Sequence, residues 1–310
     1  MLYGTGKYRY ELVEGWAKCP EGWSFMDVGG LAIDSQDRIY VLNRGDHPVM
    51  IFDRDGNLLD SWGEGYFKSA HGIYVSPDGF IYCTDDGDHT VSKFTSEGKL
   101  LLTLGTKGKP SDTGFEQKAT LQESWDTIKG GPPFNRPTAV ALSAAGEIYV
   151  VDGHANVRVH KFTPDGKLLF SWGEPGNGPG QFRIPHFPWV DKQERVWIAD
   201  QENHRIQIFN EKFEFLNQWT GFKRPNCIFI DDEEVVYISE LGRRVSIFTI
   251  DGKLLARWGS EGEERATGLF LGPHAIVVDS RGDLYVGEIP MTMAKVDRGL
   301  RAVLKFVRKT

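Results

Sequence analysis

Thiols are scarce in this chain. Its three cysteines, Cys19, Cys83 and Cys227, are odd in number and far apart. They form no CxxC pair, so neither a disulfide framework nor a thiolate metal site can be built from them. Nowhere do 18 apolar residues run together, which excludes a membrane-spanning helix. The opening residues, Met1 to Lys7, lack the apolar stretch of a secretion signal, so a cytoplasmic location is expected. Basic runs are missing until the last few residues, and the net charge is −7. That balance offers no footprint for the phosphates of a nucleic acid.

Glycine and aromatic rings are abundant instead. Gly supplies 36 of 310 residues without a three-residue period, so the chain is not collagen-like. Nine Trp and 19 Phe supply a large core and argue against disorder.

One phrase recurs. An apolar stretch, a polar turn and a two-residue β pair lead to a second strand, a "DGKLL"-like turn and a closing "WG". The pair appears as Ile39-Tyr40, Ile81-Tyr82, Ile148-Tyr149, Val196-Trp197, Val236-Tyr237 and Leu284-Tyr285. Each unit reads as four short strands, such as 139–142, 147–151, 157–162 and 168–172, joined by turns carrying Gly or Asp-Gly. Four-strand units of about 40–45 residues are the signature of propeller blades. The expected fold is therefore all-β, one six-bladed β-propeller domain over residues 1–310. Its last unit stops after three strands, and the segment Tyr10 to Trp16 supplies the missing outer strand.

Position within the repeat sorts the eight histidines. His47, His89 and His204 each fall eight residues after the pair, which marks them as scaffold, and His160 lies inside a strand. His71, His186 and His274 each fall ten residues before the pair, at the start of the first strand of blades 2, 4 and 6. Blades 1, 3 and 5 carry Gly29, Thr138 and Asn226 in that slot. Alternate blades of a six-fold ring place equivalent points 120° apart, so the three imidazoles are expected to converge on one divalent ion. Zn²⁺ suits three His with a fourth position open, although another transition metal would fit.

Loops on the same face carry Arg44, Asp86, His154, Gln201 and Glu240. Arg44 is a candidate clamp for a substrate carboxylate, or else a salt-bridge residue. His154 is a candidate acid/base group, an additional ligand, or a residue behind the ligands. The insertion 106–135, with Gly/Pro hinges and Trp125, has the length of a lid over the site.

These residues resemble the NHL-type propellers, and more specifically the peptidyl-α-hydroxyglycine α-amidating lyase family. The similarity is carried by Asn43-Arg44-Gly45-Asp46-His47, His71-Gly72-Ile73, Arg136-Pro137-Thr138, the 180–186 stretch ending in Pro185-His186, the 199–207 stretch and Pro273-His274. The resemblance implies a zinc enzyme that cleaves the C–N bond of a carbinolamide, with zinc on His71, His186 and His274 and an active-site arginine at Arg44. It also implies a calcium ion on the carbonyls of Leu31 and Ile73, but Ala275 stands where the family has the ligating aspartate. His154 replaces the family's catalytic tyrosine, Gln201 its second arginine and Gly272 a pocket methionine. With Arg44 and His154 as catalytic groups, and Arg44, Gln201 and Trp125 on the substrate, the expected activity is a lyase acting on a small carboxylate-bearing α-hydroxy amide. A zinc hydrolase or hydratase and a non-enzymatic binding propeller are the alternatives. Neither nucleic acid nor membrane is expected as a partner, and a closed ring needs no second subunit.

Overall fold

Five four-stranded antiparallel sheets in simple meander order and a sixth of five strands, which joins both ends of the sequence, account for the repeat. The computed structural model describes residues 1–259 and 268–309. The fold is a six-bladed β-propeller, as the repeat predicts. Blade 3 illustrates the unit, with strands Pro137–Leu142, Ile148–Asp152, Arg158–Phe162 and Leu168–Trp172. By their contacts the residues divide into two compact units. One, made of 1–66, 77–79 and 225–310, holds blades 1, 5 and 6; the other, 67–76 with 80–224, holds blades 2, 3 and 4.

Turn chemistry explains the recurring pair. Asp231 accepts the N–H groups of Glu233 (3.0 Å) and Val235 (2.8 Å), closing the turn. Its other oxygen accepts the Tyr237 hydroxyl at 3.0 Å. Asp34 with Tyr40, Asp279 with Tyr285 and Asp191 with Trp197 repeat the bond. In these four blades the aromatic residue of the pair thus locks the turn that precedes it, and in blades 2 and 3 Ser76 and Ser143 close the turn on a backbone N–H.

Burial follows strand order. The second strand of blade 3 is buried along its whole length, whereas the fourth strand is mostly exposed. Within the second unit, Tyr82, Leu104 and Phe134 pack with Val140, Ile148 and Phe162 between blades 2 and 3. Tyr149 and Val159 pack with Phe182, Ile198 and Phe209 between blades 3 and 4. Each such side chain contributes about 1.5–3 kcal/mol on burial. The first strands of blades 2, 3 and 4 stand side by side.

Blade 6 is completed from the start of the chain. Tyr8–Val13 pairs antiparallel with Val303–Lys309, with Leu12 opposite Phe306, and Leu2–Thr5 adds a fifth strand. The expected strand at 10–16 is thus shifted. Trp16 has left the sheet to pack 5.3 Å from Phe52 and 5.1 Å from Tyr285, ring to ring. No helix among the described residues is long and apolar enough to cross a membrane.

Candidate functional site

The slot ten residues before the pair is a β-bulge. In blade 2 the register breaks between Ala70 and Ile73, around His71, and in blade 4 between Pro185 and Phe187, around His186. The breaks around Thr138, Asn226, Gly29 and His274 are equivalent. A bulged residue is released from the ladder and its side chain is re-aimed. This device makes one position per blade available for chemistry.

The loops leading to the bulges at His71, Thr138, His186 and His274 are tied down by a carboxylate from the end of the second strand. Asp85 accepts the N–H groups of Lys68 (2.7 Å) and Ser69 (2.9 Å) ahead of His71. Asp200 accepts the N–H of Arg183 at 2.7 Å ahead of His186, and its other oxygen binds Arg205 Nε at 2.8 Å. Burial outweighs these partners and lifts the Asp200 carboxyl to about 6. Asp152 accepts the N–H of Asn135 at 2.9 Å.

Within the second unit three imidazoles come together. Ring centroids are 4.9 Å apart for His71 and His186, 4.6 Å for His71 and His154, and 5.5 Å for His154 and His186. One nitrogen from each lies within 4.8 Å of the others. His71 and His186 are 1% and 2% exposed. His154 arrives on a loop that approaches blade 4 closely, since a Cβ on Gly153 would stand 1.7 Å from the Pro185 carbonyl oxygen. Only glycine allows that approach.

Hydrogen bonds define which nitrogens are available. His71 Nδ1 donates to the Thr138 carbonyl at 2.7 Å, and Thr84 Oγ1 donates to the same oxygen at 2.8 Å. His154 Nδ1 lies 2.9 Å from Asp86 Oδ2, which also accepts from Arg136 Nη2 at 3.0 Å. Burial pushes the Asp86 carboxyl up, but the His154 hydrogen bond and the charges of His154, His71 and Arg136 outweigh it and hold it well below the usual range. The Nδ1 atoms of both rings are thus committed to oxygen, leaving Nε2 as the ligand atom, the arrangement common behind metal-bound histidines. A four-coordinate zinc at about 2.0–2.1 Å sets neighbouring nitrogens roughly 3.4 Å apart, inside the spread of this cluster. The donor set fits the metal that the resemblance implies.

The remaining predicted residues occupy definite places. In the first unit His274 is buried and its Nδ1 lies 2.8 Å from the Gly29 carbonyl, the pose His71 adopts toward Thr138. Arg44 Nη1 lies 3.3 Å from Thr292 Oγ1 and 3.5 Å from Asp27 Oδ2. In the second unit Gln201 is buried, with its side-chain carbonyl 3.4 Å from Arg224 Nη2. The insertion 106–135 is anchored on blade 3, by Thr113 Oγ1 to the Ala155 carbonyl (2.6 Å) and by Gly131 N–H to Asn156 Oδ1 (3.1 Å). It carries one helical turn, Leu121–Trp125, begun by a Thr120/Glu123 capping box. His89 and His204 accept the N–H groups of Arg136 and Arg224, each at 3.1 Å, which is a scaffold role. His160 is buried between Ser171 Oγ at 2.7 Å and Asp152. Counting had not singled out Asp86 and Arg136 as partners of His154, because contacts across 68 and 50 residues leave no local signal.

No protein-family model matches the chain. Human NHL repeat-containing protein 3 is 31% identical over 323 residues, covering 98% of this chain and 85% of that protein. A probable peptidyl-alpha-hydroxyglycine alpha-amidating lyase of Caenorhabditis elegans is 31% identical over 166 residues, 52% of this chain and 43% of the relative. Among solved structures, a streptogramin B lyase superposes with a TM-score of 0.64 at 14% identity, covering 98% of this chain and all of that one. A gluconolactonase from Xanthomonas campestris gives 0.63 at 13% identity, with 97% and 90% covered. At such identities these two structures speak for the fold alone. Near-full-length similarity at 31% identity settles membership: the chain belongs to the family of NHL repeat-containing protein 3, an NHL-repeat β-propeller that also resembles the amidating lyases.

Proposed function

We propose that the chain is a zinc-dependent lyase that cleaves the C–N bond of a small α-hydroxy amide. The observation that carries this reading is the cluster of His71, His154 and His186, buried or half-buried, with ligand nitrogens within 4.8 Å of one another. The partial similarity to an amidating lyase supports the same chemistry.

His71 and His154 would hold the ion through Nε2 and His186 through a ring nitrogen, the first two fixed in orientation by the Thr138 carbonyl and by Asp86. Zinc, when bound, supplies Lewis acidity toward an oxygen of the substrate. In the reaction the hydroxyl loses its proton and its C–O bond becomes C=O. The C–N bond breaks with its electron pair going to nitrogen, which takes up a proton, so an aldehyde and a primary amide form and no water is consumed. The His154 hydrogen bond, with the charges of His154, His71 and Arg136, keeps Asp86 ionised, and Asp86 in turn fixes the orientation of the His154 ring. Burial of His71 and His186 keeps bulk water from the reacting atoms.

A second reading keeps the metal on other donors and uses His154 as the proton carrier. It is favoured by the 23% exposure of that side chain and by its carboxylate partner, the arrangement that orients a general base. One experiment separates them: elemental analysis and turnover of an N-acyl-α-hydroxyglycine for the wild type, His71→Ala, His186→Ala and His154→Ala. All three variants are expected to lose stoichiometric zinc and glyoxylate release. A zinc-loaded but inactive His154→Ala protein selects the proton-carrier reading. An active, zinc-free His71→Ala protein sinks the lyase.

A further inference from the structure

We propose that Asn177 is a site of self-modification, where the side-chain amide is lost as ammonia and an aspartyl or isoaspartyl residue remains. Asn177 is the one asparagine followed by glycine, in the loop Gly176-Asn177-Gly178-Pro179-Gly180 ahead of His186. An asparagine side chain is open to attack by the backbone nitrogen of the next residue. Glycine at that position has no Cβ to obstruct the approach. The Asn177 side chain is exposed and makes no hydrogen bond among the described residues, so it can turn toward that nitrogen. Asn43, Asn156 and Asn226 differ: all three are buried, and their Nδ2 atoms donate to the His47 carbonyl, to Asp152 and to the His274 carbonyl.

The fold also activates the nucleophile. Arg205 Nη1 donates to the Asn177 carbonyl at 2.6 Å, and the Gly178 N–H donates to Gln181 Oε1 at 2.9 Å. Both bonds fall on the single peptide group that joins 177 to 178. A cation at its oxygen and an acceptor at its N–H draw the group toward the form with charge on oxygen and a nucleophilic nitrogen. Neither partner must move to act. Arg205 is 6% exposed and is held by Asp200 (2.8 Å) and by the carbonyls of Gly178 (2.9 Å) and Gln181 (2.8 Å). Gln181 Oε1 fills the loop, since a Cβ on Gly176 would stand 2.3 Å from it. The attack runs perpendicular to the peptide plane, so these in-plane bonds persist while it occurs.

The step balances without an oxidant or reductant. Gly178 N loses its proton and bonds to Asn177 Cγ, closing a cyclic imide. The bond from Cγ to Nδ2 breaks, and its electron pair leaves on nitrogen, which takes up a proton and departs as ammonia. Water then opens the imide at one carbonyl to give aspartate, or at the other to give isoaspartate. In isoaspartate the former Asn177 carbonyl becomes a free carboxylate on the atom that already faces Arg205. The new charge then shares with Asp200 the guanidinium beside the loop ahead of His186.

This inference needs neither a metal nor turnover. The test is incubation of the full-length protein in neutral buffer below its melting temperature, beside a synthetic peptide of residues 168–183. Trypsin cuts after Lys167 and Arg183, so the same peptide reports both samples by mass, and an isoaspartyl methyltransferase labels the isoaspartate. Conversion at Asn177 in the folded protein is expected to be at least as fast as in the free peptide. Asn177→Gln should remove it, and Gly178→Ala should slow it about tenfold by restoring a Cβ at the attacking residue. Gln181→Leu, which removes the acceptor, should slow conversion, whereas Gln181→Glu, which keeps one, should not; melting temperatures show that each variant is folded. A folded protein that keeps its Asn177 amide while the free peptide converts would overturn the assignment. So would an undiminished rate in both Gly178→Ala and Gln181→Leu.

Discussion

The loops that lead to His71 in blade 2 and to His274 in blade 6 are tied down by the same device built from different chemistry. Asp85 gathers four backbone N–H groups, from Lys68, Ser69, Gly87 and Asp88, all at 2.7–3.0 Å. Glu288 reaches two, from Leu271 (2.6 Å) and Gly272 (3.1 Å), and meets Arg298 Nη1 at 2.7 Å. The shorter side chain keeps its carboxylate among backbone dipoles; the longer one shares its carboxylate between two backbone N–H groups and a buried guanidinium. Burial accordingly pushes the Glu288 carboxyl above its ordinary range, against the opposing pull of Arg298 and the two N–H groups. The next residue differs too. In blade 2 it is Asp86, partner of His154, and in blade 6 it is apolar Ile289. A shared scaffold thus carries separate options for satisfying charge and for serving a neighbouring ring.

The sharpest way to break this comparison is Arg298→Met. It strands the Glu288 carboxylate in the core and should cost about 3–5 kcal/mol, read as a lowered urea midpoint. Next comes Asp86→Asn, which should weaken zinc binding 10–100-fold in competition with a chelating dye. Asp85→Asn should cost about 1–2 kcal/mol, because an amide oxygen still accepts some of the four N–H groups; a loss as large as that of Arg298→Met would erase the distinction. The smallest effect concerns pH. The folded chain holds the Glu288 proton at a pH where the unfolded chain has released it, so this group's stabilising contribution falls as pH rises through the interval above 4.5. Glu288→Gln should flatten that part of the stability profile measured from pH 4 to 7, and an unchanged profile would contradict the burial argument.

Much of this was legible in the sequence. The spacing of Ile81-Tyr82, Ile148-Tyr149 and Val196-Trp197 located the blades, because the Ser or Asp that closes the preceding turn recurs ahead of each pair. The eight-residue offset of His47, His89 and His204 marked a scaffold role, visible for His89 and His204 as acceptance of a backbone N–H, whereas His47 Nδ1 lies 3.0 Å from Glu64 Oε1. The carboxylates Asp85, Asp152, Asp200 and Glu288 recur four residues after the pair, and the same counting could have found them. Links closed by folding alone stayed hidden. His154, Asp86 and Arg136 meet across blades, and the insertion that carries Trp125 follows no repeat. Trp16 was misplaced because a strand-like pattern continued past the point where its ring found a better-packed pocket.

The pairing of Tyr8–Val13 with Val303–Lys309 has a consequence for biogenesis. The strand Tyr8–Val13 must wait until Val303–Lys309 has left the ribosome before it meets its partner. Until then each nascent molecule carries an unfinished sheet edge of the kind that other chains can join. Contacts of such sequence separation also slow folding, so the period of greatest risk for this protein falls during its synthesis, before the sixth blade is complete.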